Sequence, residues 1–196
     1  MKYSDIKEHL GKFKVGIAGA GGLGSNCAMA LARCGVGKLI ICDNDVVERT
    51  NLNRQYYFEK QAGKLKCEAL KENIELACSD VIVEIHNILL DPENIPSVFS
   101  DCDIIVEAVD NSETKEMIIK AVQATMPATP LIIGSGVAGW DNTGNLRSRK
   151  IDDTLYVCGD EESEVSDDLP ALAPGVSIVA NMQADLVISL LLNIKR

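Results

Sequence analysis

The sequence predicts an α/β fold: a Rossmann-like, mostly parallel sheet with helices on both faces and a small antiparallel C-terminal extension. Three observations carry this. Short apolar runs of strand length alternate with longer segments of helical periodicity. The first run, Val15-Gly16-Ile17-Ala18, leads straight into Gly19-Ala20-Gly21-Gly22-Leu23-Gly24. A second run ends in an acid, Asp43, about 20 residues past the glycines, the spacing of a nucleotide-binding βαβ unit.

Strands are expected over Lys14–Ala18, residues 39–43, 81–85 and 104–108, and Leu131–Gly134. Four are nearly continuous apolar runs, as parallel strands covered on both faces should be. The third, Val81-Ile82-Val83-Glu84-Ile85, is mixed and reads as nearer an edge. Helical patterns fill residues 23–34, 64–78, 114–126 and 175–192. Gly35 and Gly37 close the first, and Asn111-Ser112 supplies an N-cap for the third. Past Gly134 the character changes. Residues 136–144 read as a glycine-rich loop, and residues 145–151 and 154–157 as antiparallel strands around Asp152-Asp153. The acidic run 159–168 reads as a mobile surface loop. A single domain over 1–196 follows, with a nucleotide-binding core at 13–135 and an extension at 136–196.

With 196 residues, 46% of them hydrophobic, the chain can bury one sizeable core. A formal net charge of −10 argues against a nucleic-acid partner; the lysines Lys7, Lys12 and Lys14 read as a solvated face. The N-terminal segment lacks the apolar core of a signal peptide, and the most apolar tail, residues 187–192, is too short to span a membrane. A cytoplasmic location is therefore expected. Cys27, Cys34, Cys42, Cys67, Cys78, Cys102 and Cys158 are scattered, and none forms a C-x-x-C pair. Neither disulfides nor zinc are expected.

The glycine turn on Gly19, Gly21, Gly22 and Gly24 brings backbone N–H groups and a helix N-terminus close to a phosphate. Asp43, at a strand tip, suits a ribose. The segment Asn51-Leu52-Asn53-Arg54-Gln55 and the helix-opening Lys66 add polar and cationic groups that a redox dinucleotide does not need and a triphosphate does. Asp110, after the fourth strand, lies where an open sheet places its ligand and suits Mg²⁺, with Asn111 or Ser112 as the cap.

Together with Asp43-Asn44-Asp45, Gly63-x-x-Lys66, Asp110-Asn111 and the late segment from Leu172 to Asp185, these motifs resemble the ThiF/MoeB family, bacterial relatives of the ubiquitin-activating enzymes, over most of the chain. The resemblance implies an adenylyltransferase. It would use ATP and Mg²⁺ to activate the C-terminal Gly-Gly carboxylate of a small β-grasp carrier, as a cytoplasmic homodimer. It implies Asp43 on the ribose; Asn51, Arg54 and Gln55 on the phosphates; Lys66 on the α-phosphate; and Asp110 on the metal. Arg54, Lys66 and Asp110 become the catalytic candidates.

The chain departs from the pattern in two places. The family's N-terminal arginine, which reaches a neighbouring subunit's site, has no counterpart before Arg33; Lys2, Lys7 and Lys12 are the cationic substitutes. The paired zinc cysteines are missing, and the pattern resembles a short, zinc-less form associated with thiamin biosynthesis. Cys158 is either a thiol acceptor for the activated carrier or a loop residue without a role, and the acids after it should raise its pKa. Trp140 either lines a channel for the carrier tail or covers the sheet edge. Tyr56, Tyr57 and Phe58 fit an interface or the core. Three other readings compete. One is another member of the same superfamily, acting in molybdopterin synthesis or tRNA modification. The second is a non-catalytic ATP-binding docking module, and the third an NAD-dependent oxidoreductase.

Overall fold

The computed structural model describes residues 2–194; the outer ends of the expected domain, Met1, Lys195 and Arg196, lie outside them. One seven-stranded sheet runs through the molecule in the order β3-β2-β1-β4-β5-β7-β6. Its strands are β1 Lys14–Ala18, β2 Lys38–Cys42, β3 Ile82–His86, β4 Ile104–Glu107, β5 Leu131–Gly134, β6 Arg147–Lys150 and β7 Leu155–Gly159. All neighbours pair in parallel except β6 with β7. β3 is an edge strand, as its mixed composition indicated.

The sheet is covered on both faces because its apolar strands alternate side chains between two cores. Val15, Ile17, Leu39, Ile41, Ile104 and Val106 join α1 (Tyr3–Leu10), α2 (Gly22–Cys34), α3 (Lys66–Ala77) and α6 (Ala173–Asn193) in one cluster. Ala18, Ile40, Cys42 and Ile105 join α4 (Ile95–Phe99) and α5 (Ser112–Thr125) in the other. Gly16 faces α4, where a Cβ would meet Phe99 at 2.6 Å.

Several expectations need correction. Helices α1 and α4 were not legible: one is mostly polar, with only Leu10 buried and Ile6 and His9 partly so, the other a single short turn begun around Pro96. Helix α3 starts at Lys66, not residue 64. The small antiparallel C-terminal pair is present as β6–β7; β7 also joins the main sheet in parallel beside β5, and α6 packs on α2. At 21 residues, α6 is long and apolar enough by length and composition to cross a membrane, contrary to the sequence expectation. Its residues Val176, Val179, Ala180, Gln183, Ala184, Val187 and Leu191 are nevertheless buried in this fold. The acidic segment is anchored at its start. Asp160 is buried and accepts the backbone N–H groups of Glu162 and Ser163, each at 2.8 Å, and the amide of Asn142. Burial would raise the Asp160 carboxyl, but the Ser163 and Glu162 donors hold it below the usual carboxylate value.

The strand order reverses between β1 and β4, the position at which open α/β sheets bind ligands beyond the carboxyl ends of their strands.

Candidate functional site

The crevice at this reversal begins with the glycine turn between β1 and α2. Gly19 has φ +97°, in the left-handed region, and any Cβ there would lie 2.8 Å from the Ala108 carbonyl oxygen. A Cβ on Gly24 would lie 1.8 Å from the Gly19 carbonyl oxygen. These two glycines are required by the fold. Gly21 is different: a Cβ there would find nothing nearer than Gln55 Nε2, at 3.8 Å. No crowding accounts for that glycine, and a bare backbone at the N-terminus of α2 is what a phosphate can approach. Gly22 abuts the start of α6, where a Cβ would lie 2.9 Å from Val176 Cγ1.

The loop carrying Asn51, Arg54 and Gln55 is stapled to this turn. Ser25 Oγ donates to the Gly21 carbonyl and accepts the Tyr56 N–H at 2.9 Å; Asn26 donates to the carbonyls of Gly22 (2.7 Å) and Arg54 (3.0 Å). Tyr57 is buried, and its hydroxyl donates to the Ala20 carbonyl at 2.6 Å. Burial, and secondarily Asp43, push its phenol far up, so it stays a donor. The aromatic trio thus divides: Tyr57 is core, Tyr56 partly so, and Phe58 exposed. Ser25 and Asn26 were missed from sequence. Their signal was two polar residues in the first turns of an otherwise apolar helix.

Asp43 sits at the tip of β2. Its carboxylate accepts the N–H groups of Ala20 (2.6 Å) and Asp45 (2.7 Å), which fixes it against the glycine turn. Lys66 opens α3 with its side chain only 9% exposed, and its ammonium pairs with Asp45 at 2.7 Å. The Lys66 N–H also donates to the Asp45 carbonyl. Arg54 is half-buried and donates to Asn53 Oδ1 at 2.9 Å. Gln55 is buried, and among the described residues its Oε1 has no hydrogen-bond partner. A buried, unpaired amide oxygen costs roughly 1–3 kcal/mol, a cost relieved when a donor such as a ribose hydroxyl or water enters.

Asp110 lies three residues past the end of β4. It is exposed, and its side chain takes part in no hydrogen bond or ion pair among the described residues. Asn111 caps α5 by accepting the Thr114 N–H at 2.9 Å. Among the described residues no three of His, Cys, Asp and Glu gather into a metal-binding group. A single carboxylate suits Mg²⁺ when phosphate oxygens and waters complete the shell. Just beneath Asp110, Glu107 is fully buried and paired with Lys115. Burial pushes its carboxyl up, and Lys115 and the N–H groups of Val109 and Gly134 oppose that shift. Sequence reading passed over Glu107, although an acid inside an apolar strand was the visible signal.

The expectation for Cys158 fails on geometry. Cys158 is neither an accessible acceptor nor a loop residue. It lies on β7, fully buried, with its sulfur 3.3 Å from Ser148 Oγ. Burial, not the acids after it, pushes its thiol up. Lys7 pairs with Asp80 at 2.8 Å beside the start of β3, away from its own chain's crevice, a position that does not bear on a neighbouring subunit's site. Lys2 and Lys12 flank α1, which packs at the same end, where Tyr3 donates to the Arg33 carbonyl in the last turn of α2. The 13 residues of α2 separate that end from the glycine turn by about 20 Å. Trp140 is 65% exposed beside a cavity of about 90 Å³, lined by residues including Gly139, Asp160, Leu172 and Pro174.

This arrangement matches one family over nearly its whole length: residues 3–196 fit the ThiF family model. The chain belongs to the ThiF family. An adenylyltransferase and sulfurtransferase MOCS3 from Caenorhabditis briggsae is 34% identical to this ThiF-family chain over 175 residues, 86% of the chain and 43% of that protein. An adenylyltransferase and sulfurtransferase UBA4 from Candida glabrata is 39% identical over 110 residues, 56% of the chain and 25% of that protein. The chain therefore spans less than half the length of these curated relatives. Among solved structures, the E. coli tRNA N6-threonylcarbamoyladenosine dehydratase TcdA in complex with ATP superposes with a TM-score of 0.87 over 96% of this chain and 89% of that one. At 19% identity, that likeness is one of fold. E. coli MccB with AMPCPP and MccA gives 0.74 at 25% identity, over 95% of this chain and 58% of that one.

Proposed function

We propose that this ThiF-family chain is an adenylyltransferase that uses ATP to activate the C-terminal Gly-Gly carboxylate of a small β-grasp carrier. The observation that carries the reading is the unobstructed Gly21 at the N-terminus of α2, where the nearest atom to an added Cβ is the amide nitrogen of the buried Gln55, at 3.8 Å. That is a bare backbone cradle with an amide donor beside it at a helix N-terminus. The family's adenylyltransferase members and the nucleotide-bound neighbours support the same reading.

In this reading the phosphates lie over the glycine turn, with Asn51, Arg54 and the Gln55 amide along them. Asp43 keeps its two backbone contacts and uses its remaining lone pairs for ribose hydroxyls. The Lys66 ammonium exchanges its exposed partner Asp45 for the α-phosphate. Asp110 would hold Mg²⁺, which supplies neutralisation of phosphate charge. A carrier carboxylate oxygen attacks the α-phosphorus, one P–O bond forms, the bond to pyrophosphate breaks, and an acyl-adenylate results. The protein's part is positioning and charge stabilisation. A two-fold homodimer belongs to the same reading and is checked by the mass of the particle in solution. The thiamin-pathway assignment rests on the sequence resemblance alone, because the relatives' names are those of other branches.

The test is ATP–pyrophosphate exchange. Exchange that requires Mg²⁺ and a carrier ending in Gly-Gly supports the reading. ATP bound without exchange under any carrier tried would favour the docking-module alternative.

A further inference from the structure

The β4–α5 connection carries a buried charge pair that the proposed chemistry leaves unused. Glu107, 0% exposed, ends β4; Lys115, 19% exposed at its side chain, lies on the second turn of α5. One Glu107 oxygen accepts the Val109 N–H at 2.7 Å, and the other pairs with the Lys115 ammonium. Lys115 also reaches the Val109 carbonyl at 3.4 Å. The Gly134 N–H on β5 favours the charged form of the same carboxylate. The Glu107 carbonyl in turn accepts the Gln183 amide of α6 at 3.0 Å. On the other side, Ala108 is wedged against Gly19 and Gly24 of the glycine turn.

Residue 109 is therefore fixed from below by this pair, and residue 111 by its own cap on α5. Asp110, between them, has no side-chain partner of its own, so its aim is set entirely by its two neighbours. A buried ion pair is a poor stabiliser: replacing one with apolar groups of similar volume is often neutral or favourable. What an apolar replacement loses here is the grip on Val109.

We infer that Glu107 and Lys115 are positioning residues that hold the 109–111 backbone so that the Asp110 carboxylate faces the phosphates over the glycine turn. This rests on the nucleotide reading above and adds to it a pair outside the crevice.

The test compares the full-length wild type with Glu107→Gln, Lys115→Met and the apolar double variant Glu107→Leu/Lys115→Met. Thermal unfolding reports stability. Amide exchange over residues 104–115 of the nucleotide-free protein reports the grip. Calorimetric ATP titration in Mg²⁺ and in EDTA reports the metal-dependent part of affinity. The expected result is faster exchange confined to 109–111, EDTA affinity within about twofold of wild type, and about a tenfold loss of the Mg²⁺-dependent increment. The double variant is expected to show this loss with its melting temperature unchanged or raised, separating positioning from folding. Any folded variant with a wild-type Mg²⁺ increment overturns the inference. A wild type that binds no ATP overturns the nucleotide reading instead, and the amide-exchange result still reports whether the pair holds this backbone.

Discussion

Lys66 shows how magnitudes separate function from stability at the scale of one residue. Its ammonium is nearly buried, but its partner Asp45 is 62% exposed at the side chain. A half-solvated pair contributes at most about 1 kcal/mol, so Lys66→Met should remain folded. On the proposed reading, in which Lys66 meets the α-phosphate, its loss should nonetheless lower exchange by about 100-fold or more. A steady-state assay beside a thermal melt checks both halves. Gly21→Ala makes the complementary case. Because the added methyl touches nothing closer than 3.8 Å, stability should stay within about 0.5 kcal/mol. ATP affinity should fall about tenfold, read by calorimetry. Equal affinity would mean that the phosphates do not cross this turn. The cysteines give a third check. Cys158 and Cys27 are fully buried, with thiols pushed up by burial, whereas Cys34 and Cys78 are partly exposed. Alkylation of the native protein at neutral pH, followed by mass spectrometry, should label Cys34 and Cys78 while sparing Cys27 and Cys158 until unfolding.

At the scale of elements, the paired loops 136–144 and 159–168 depend on one buried acid. Asp160 has a folded pKa held below its ordinary value, so it favours the folded state above that ordinary value and loses this advantage as pH falls through the folded one. Asp160→Asn should therefore be less stable than wild type at neutral pH, by about 1–3 kcal/mol, read by denaturant unfolding. The gap should close on acidification below about pH 4. A gap independent of pH would remove the ionised carboxylate from the explanation. Sequence legibility was uneven across the elements for physical reasons. The parallel strands were plain because strands covered on both faces must be apolar throughout. The anchoring of residues 159–163 was hidden because an acid that accepts turn N–H groups looks, in sequence, like any other acid in a polar run. The site followed the same rule. Gly19 to Gly24, Asp43, Arg54, Gln55, Lys66 and Asp110 were visible as motifs. Ser25, Asn26, Glu107 and Lys115 act through tertiary contacts that spacing does not encode. Cys158 was misplaced because the shift of β7 to Leu155–Gly159 carries it from a loop into the core.

For the whole molecule, the crevice is a product of topology. The reversal between β1 and β4 opens the sheet where α2 begins, α5 is capped, and the start of α6 packs against Gly22. Two chains of hydrogen bonds converge there: Ala20–Asp43–Asp45–Lys66 from one side and Lys115–Glu107–Val109 from the other. On the proposed reading such a frame holds a nucleotide in line with an incoming carboxylate, and the protein itself forms no covalent bond in that step. The most direct measurement follows the oxygen. A Gly-Gly carrier labelled with ¹⁸O in its terminal carboxylate is incubated with the protein, ATP and Mg²⁺, and the released AMP is weighed after hydrolysis of the acyl-adenylate. Adenylation by carboxylate attack on the α-phosphorus should leave one ¹⁸O in the AMP and release pyrophosphate. Unlabelled AMP, or cleavage to ADP and phosphate, would contradict the account.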